Sequence, residues 1–163
     1  MHFKARMVVV GAFAVSPLVF CSMNHLRSVL AAQQNAPVMA TRLYTGPDGL
    51  THIDEIELKL TAAPGFTPEA GSKGITELSA PAHAAKTFVA RASPGFFEDW
   101  HNADVRRYVV TLSGRAEIDA SDGQKTYGEP GRILLAEDLK GKGHTVRIVS
   151  KDPWVALFVD LAP

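Results

Sequence analysis

From Thr41 onward, apolar and polar residues alternate in short runs broken by Gly, Pro, Asp and Ser. Alternation with period two predicts β-strands, and no stretch there sustains a helical period. The expected strands are Thr41–Thr45, Thr51–Leu60, Lys86–Ser93, Arg106–Leu112, Arg115–Asp119, Gln124–Tyr127, Arg132–Glu137, His144–Ser150 and Trp154–Leu161. Within Thr51–Leu60, Ile56, Leu58 and Leu60 share a parity with His52 and Asp54, so this set is expected to face the core. Ser113-Gly114 and Ser121-Asp122-Gly123 carry hairpin turn chemistry, which predicts antiparallel pairing of the strands they join. Between Ala62 and Ala85, Pro, Gly and Ala prevail without alternation. A connection of that length is either a lid over a pocket or a plain surface crossover. The expected class is all-β, a sandwich or barrel.

Composition narrows the setting of this domain. At 163 residues, with 46% hydrophobic and 21% charged, the chain suits one globular core rather than disorder. Lys4, Arg6 and Arg27 lie in the first forty residues without an acid, leaving 14 bases against 17 acids beyond them. A mildly acidic body without a basic stripe argues against nucleic acid. Lys4 and Arg6 precede an apolar run from Met7 to Cys21, the pattern of an export signal, with cleavage after Ala31 or Ala40. The run is shorter than the roughly 20 residues needed to span a bilayer. Residues 1–40 are therefore expected to be an export segment and 41–163 the folded domain, periplasmic or secreted, with no stable membrane span in the mature form. Removal of the segment also removes Cys21, the single cysteine, and with it any disulfide or thiolate site.

Two segments carry a family resemblance. Trp100-His101-Asn102-Ala103-Asp104-Val105-Arg106-Arg107-Tyr108-Val109-Val110-Thr111-Leu112-Ser113-Gly114 resembles the first cupin motif, in which histidines near a strand start precede a glutamate and a strand closing on Gly. Tyr127-Gly128-Glu129-Pro130-Gly131, the strand Arg132–Glu137 and Gly141-Lys142-Gly143-His144 resemble the second. The resemblance implies a single-domain cupin β-barrel, a jelly roll or double-stranded β-helix. It also implies a divalent metal (Fe, Mn, Ni or Zn) held by two histidines, the glutamate and a later histidine. His101 matches the first histidine and His144 the last, but Ala103 stands at the second and Arg107 at the glutamate. A guanidinium cannot ligate a metal and repels one at short range.

The residues themselves leave alternatives open. His52 could join His101 and His144 in a three-histidine site, with Glu98, Asp99, Glu137 and Asp138 as nearby carboxylates. It could equally be a core histidine paired with Asp54. Arg107 shares the parity of Val109 and Thr111, so its charge is expected inside the barrel, facing Asp54 or Glu98 or an anionic ligand. Trp100, with Phe96 and Phe97, would line a pocket or pack at the barrel end. Trp154 and Phe158 oppose Val155, Leu157 and Val159, and the sequence does not decide which set faces inward. The glycines at 141 and 143 do not follow a strand-to-helix phosphate loop, and no serine sits in a nucleophile elbow. Two functions follow as expectations. One is an exported barrel binding a small anionic or carbonyl-bearing molecule through Arg107, His52, Trp100 and Asp54. The other is an enzyme (dioxygenase, isomerase or lyase) using a metal on His101 and His144, or a histidine as base. Exposed edge strands further suggest a homodimer.

Overall fold

The computed structural model describes residues 36–62, 77–80 and 82–163; Pro37–Pro163 form one compact unit. The described residues contain twelve strands and no helix: β1 Met39–Thr45, β2 Thr51–Glu57, β3 Leu60–Ala62, β4 Glu77–Ser79, β5 Ala84–Ala92, β6 Phe97–His101, β7 Arg107–Ser113, β8 Ala116–Ala120, β9 Lys125–Gly128, β10 Ile133–Glu137, β11 His144–Ile148 and β12 Trp154–Leu161. All nine expected strands appear, within a few residues. The export segment up to residue 35 and the candidate cleavage point at Ala31 lie outside the described residues. The alternative point, Ala40, does not: it is 1% exposed within β1, opposite Ile56, so cleavage there would split a paired strand. Within the connection expected between Ala62 and Ala85, β3 and β4 pair as a small separate ladder, and 63–76 lie outside the described residues.

Ten strands form two sheets. The larger has the order β2-β1-β10-β7-β12-β5 and the smaller β6-β11-β8-β9. Every pairing is antiparallel except β1 with β10. The β7–β8 turn depends on Gly114, whose φ is +75° and where a Cβ would meet the Trp154 backbone at 2.7 Å. A side chain there would be strained twice over.

Residues paired directly across strands share a face. One row across the large sheet reads Thr41–Leu134–Val109–Phe158–Phe88, and the next Leu43–Ala136–Arg107–Asp160–Lys86. Thr41, Leu134, Val109 and Phe158 line the barrel cavity, so these rows form the inner face. In the small sheet Ile118 lies opposite Val146, and Ala116 opposite Ile148, and all four line the same cavity. Phe88 stacks on Phe158 with centroids 4.9 Å apart, and Trp154 meets Phe158 edge-on at 6.0 Å. Trp154 and Phe158 are thus the inward side of the last strand.

The same register corrects β2. Thr41 faces Glu55, Leu43 faces Ile53 and Thr45 faces Thr51, so Thr51, Ile53 and Glu55 share the inner face. His52, Asp54 and Ile56 point the other way, opposite Tyr44, Arg42 and Ala40. Asp54 accepts a 2.9 Å hydrogen bond from Arg42 Nε. His52 stacks on Tyr44 and stands between two carboxylates, Nε2 being 3.0 Å from Asp48 and Nδ1 2.8 Å from Asp122. It thereby ties the β1–β2 turn to the β8–β9 turn, alongside Thr51 N–H donating to Ser121 Oγ at 2.8 Å.

The hydrogen bond to Asp48, with the charges of Asp48 and Asp122, raises the imidazole pKa above its ordinary 6.5 against some desolvation; in return, His52 lowers that of Asp48. The histidine contribution is complete below the ordinary imidazole value and fades as pH rises through the raised one. The carboxylate contribution fades as pH falls through its lowered value. His52→Gln should therefore lower stability most at about pH 5–6 and least near pH 9. Denaturant unfolding of parent and variant at the two pH values checks this, and an equal deficit at both would remove the charged latch.

Candidate functional site

β6 and β11 lie side by side in the small sheet and bring His101 directly opposite His144. The ring centroids are 4.4 Å apart at 54°, and both rings line the cavity. Between these partners and the next, Glu98 with Val146, the register shifts, so three steps along β6 match two along β11. That bulge turns both Glu98 and His101 toward the cavity, which regular alternation would forbid.

Each imidazole is oriented from behind. His101 Nδ1 is 2.7 Å from the carbonyl oxygen of Asp99, which can only accept, so Nδ1 carries the proton. His144 Nδ1 is 2.7 Å from Asp138 Oδ2, which also accepts from Thr51 Oγ1 at 3.0 Å. Asp138 is fully buried and His144 is 7% exposed. In the neutral ring the proton on Nδ1 leaves a lone pair on Nε2, and the Nε2 edges are the ones left to face the cavity. Asp138, named from sequence only as a carboxylate near a strand end, is thus what fixes His144, and Thr51 is its unforeseen second donor. No sequence signal marked Thr51 beyond its place one residue before His52.

Gly143 makes the histidine pairing sterically feasible. Its φ is +80°, and a Cβ there would lie 2.0 Å from the carbonyl oxygen of His101. Gly143→Ala should lower stability by at least the roughly 1–2 kcal/mol of a left-handed non-glycine residue, and should push the two rings apart. Calorimetric unfolding, with the loss of contacts between the two imidazoles in NMR spectra, measures both effects; an unchanged melting temperature would contradict the steric account.

Arg107 points inward as its parity predicts, but its partner is neither Asp54 nor Glu98. It lies directly opposite Asp160 on β12, with Nε 2.9 Å from Oδ1. The distance makes an ion pair, while the angle falls outside a hydrogen bond and leaves both atoms unbonded in that sense. The side chains are 19% and 11% exposed. Phe158 lies beneath the guanidinium, 5.8 Å from ring centroid to Cζ. Trp100 is 45% exposed, absent from the cavity wall and covered by Lys142 Nζ at 4.7 Å. Phe97 carries Arg147 in the same way at 4.4 Å. The aromatic walls are instead Phe96, Tyr127, Trp154 and Phe158, around a cavity of about 260 Å³.

Two facing sheets with this strand order, and the two motif segments joined at His101 and His144, decide the architecture. The fold is an all-β barrel of two sheets, as the cupin resemblance implies. No family model and no curated protein matches the chain. Among solved structures, it is similar to a cupin domain from Bordetella pertussis at 19% identity, over 52% of this chain and 88% of that one, with a TM-score of 0.41. It is also similar to the cupin domain of an XRE family transcriptional regulator from Enterobacter cloacae, at 25% identity, 47% and 80% coverage and a TM-score of 0.37. A conserved Streptococcus pyogenes protein of unknown function is similar at 19% identity, 52% and 70% coverage and a TM-score of 0.39.

The donors present do not fit the metal that the cupin motif implies. The second histidine's place is the buried Ala103, and the glutamate's place is the ion-paired Arg107. His52, the candidate replacement, faces away from the barrel cavity. Glu98 is the nearest substitute, 3.7 Å from His101 Nε2, with its side chain 51% exposed. Among the described residues no group of three or more histidine, cysteine or acidic side chains converges to hold an ion.

Proposed function

We propose that this cupin binds a small molecule inside the barrel, its polar end at the His101–His144 pair and its apolar part against Phe96, Ile118, Trp154 and Phe158. The observation that carries this is the pair itself: two imidazoles with fixed tautomers, presented side by side to a largely apolar cavity. Apolar walls with a few convergent polar groups are the common form of a small-molecule site, and about 260 Å³ suits a compact ligand. The anionic ligand expected from Arg107 loses its main support, because Asp160 already meets that charge. His52, Asp54 and Trp100 lie away from the cavity and are not proposed as contacts.

The test is a compound screen by NMR on the parent protein and on His144→Gln and Phe158→Ala. Binding that moves the imidazole and Trp154 resonances, and is lost in both variants, supports the reading. A hit unaffected by either substitution places the ligand elsewhere and overturns it.

One observation favours a second reading, catalysis: Asp138 behind His144 is an arrangement that lets His144 Nε2 take a proton from a bound substrate while the carboxylate stabilises the imidazolium. Turnover abolished by His144→Gln without loss of binding would establish it. Elemental analysis of protein prepared without affinity metal separates both readings from a metal enzyme, since stoichiometric metal would overturn each. Export belongs to the same proposal, supported by the basic start and apolar run of residues 1–21. The mass of the protein recovered from outside the cytoplasm tests it, and an intact Met1 there would count against cleavage.

A further inference from the structure

We infer that the ligand of this cavity is an uncharged polyol that presents adjacent hydroxyls to His101 and His144, an inference that rests on the binding reading above. The donors and acceptors that line the cavity point to it. His101 Nδ1 donates to the Asp99 carbonyl and His144 Nδ1 to Asp138, so each ring in its neutral form offers the cavity an acceptor at Nε2, that of His101 lying 3.7 Å from Glu98. Two further cavity-lining groups, the carboxylates of Glu98 and Asp104, are also acceptors. The donors in the wall are largely engaged: Thr41 donates to Glu55, Asn102 to the Lys140 carbonyl, Arg132 to Thr41 and Glu55, and Trp154 to Thr111. What remains is the hydroxyl proton of Thr111, whose oxygen accepts from Trp154, and the guanidinium of Arg107, its charge balanced by Asp160.

A ligand here must donate to two imidazole lone pairs while accepting from, or at least tolerating, a guanidinium in the same cavity wall. A carboxylate has no proton to donate and would face two lone pairs and two acids. An ammonium donates but accepts nothing, shares the cavity with Arg107, and carries a charge in among mostly apolar walls, where neutral imidazoles would not compensate its lost hydration. A hydroxyl does both tasks, and its desolvation is the smallest of the three. Two rings at 4.4 Å suit two hydroxyls on neighbouring carbons, with the carbon skeleton laid against Phe96 and Phe158.

The test compares three ligands of one shape at pH 8: cis-1,2-cyclohexanediol, cyclohexanecarboxylate and cyclohexylammonium. Each is titrated into the full-length protein, and the ring nitrogen resonances of His101 and His144 are followed. The expected result is binding of the diol at least tenfold tighter than either charged compound, with both Nε2 resonances moving. His101→Phe and His144→Phe should each weaken the diol at least tenfold, whereas Trp100→Ala, outside the cavity, should leave it unchanged. If the carboxylate or the ammonium binds tightest and moves these resonances, the polyol inference falls while the binding reading stands. If none of the three moves them, both fall.

Discussion

Replacing Arg107 by leucine is expected to lower the stability of the domain by about 3–5 kcal/mol, the penalty of leaving a buried charge without its partner. The abandoned group is Asp160, 8% exposed and held opposite Arg107 on the neighbouring strand. A carboxylate stripped of its counter-charge there must either remain ionised in a poorly solvated setting or take up a proton, and both routes weaken the native state at neutral pH. The double variant Arg107→Leu with Asp160→Leu should recover most of the loss, because a buried ion pair replaced by apolar groups of similar volume is often neutral or stabilising. Equilibrium urea unfolding of parent, both single variants and the double variant closes this cycle. If Arg107→Leu keeps the parent's stability but abolishes binding of an anionic compound, Arg107 is a ligand anchor after all, and its pairing with Asp160 is incidental.

The inward lean of Arg107 was legible because β7 is a central strand: Val109 and Thr111 share its parity, are 7% and 3% exposed, and leave no doubt about which face is buried. Its partner was not legible, since Asp160 lies more than fifty residues away and only strand order brings β12 beside β7. In β2 the rule itself misled. Ile56, Leu58 and Leu60 formed the more apolar parity, yet β2 is the edge of the large sheet, where neither face is deeply buried apart from Thr51. At such an edge the apolar count no longer identifies the inner face. β6 escaped notice because Phe97-Glu98-Asp99-Trp100-His101 does not alternate, and the bulge that places both Glu98 and His101 inward is the reason it does not. The His101–His144 pairing, by contrast, followed from the order of the two motif segments. What positions His144 could not follow, because Asp138 and Thr51 come from different strands and meet only in the folded barrel.

That support can be removed at its centre. Asp138→Ala is expected to lower stability by about 2–6 kcal/mol, since it leaves two buried donors, Thr51 Oγ1 and His144 Nδ1, without an acceptor at roughly 1–3 kcal/mol each. Both bonds end on the same oxygen, Oδ2, while Oδ1 has no partner among the described residues, so no second contact of the carboxylate softens the loss. Thr51→Val removes one donor together with its need for an acceptor and keeps the shape, so it should lower stability by only about 1 kcal/mol. The functional consequence separates this from a general loss of packing. With Asp138 gone, nothing holds the proton of His144 on Nδ1, the ring samples both tautomers, and its Nε2 faces the cavity as donor part of the time. Ring nitrogen NMR should show the mixed tautomer in Asp138→Ala and the single Nδ1–H form in parent and Thr51→Val, with ligand affinity falling only in the first. A single Nδ1–H tautomer persisting in Asp138→Ala, at a stability within 1 kcal/mol of the parent, would show that His144 takes its orientation from elsewhere.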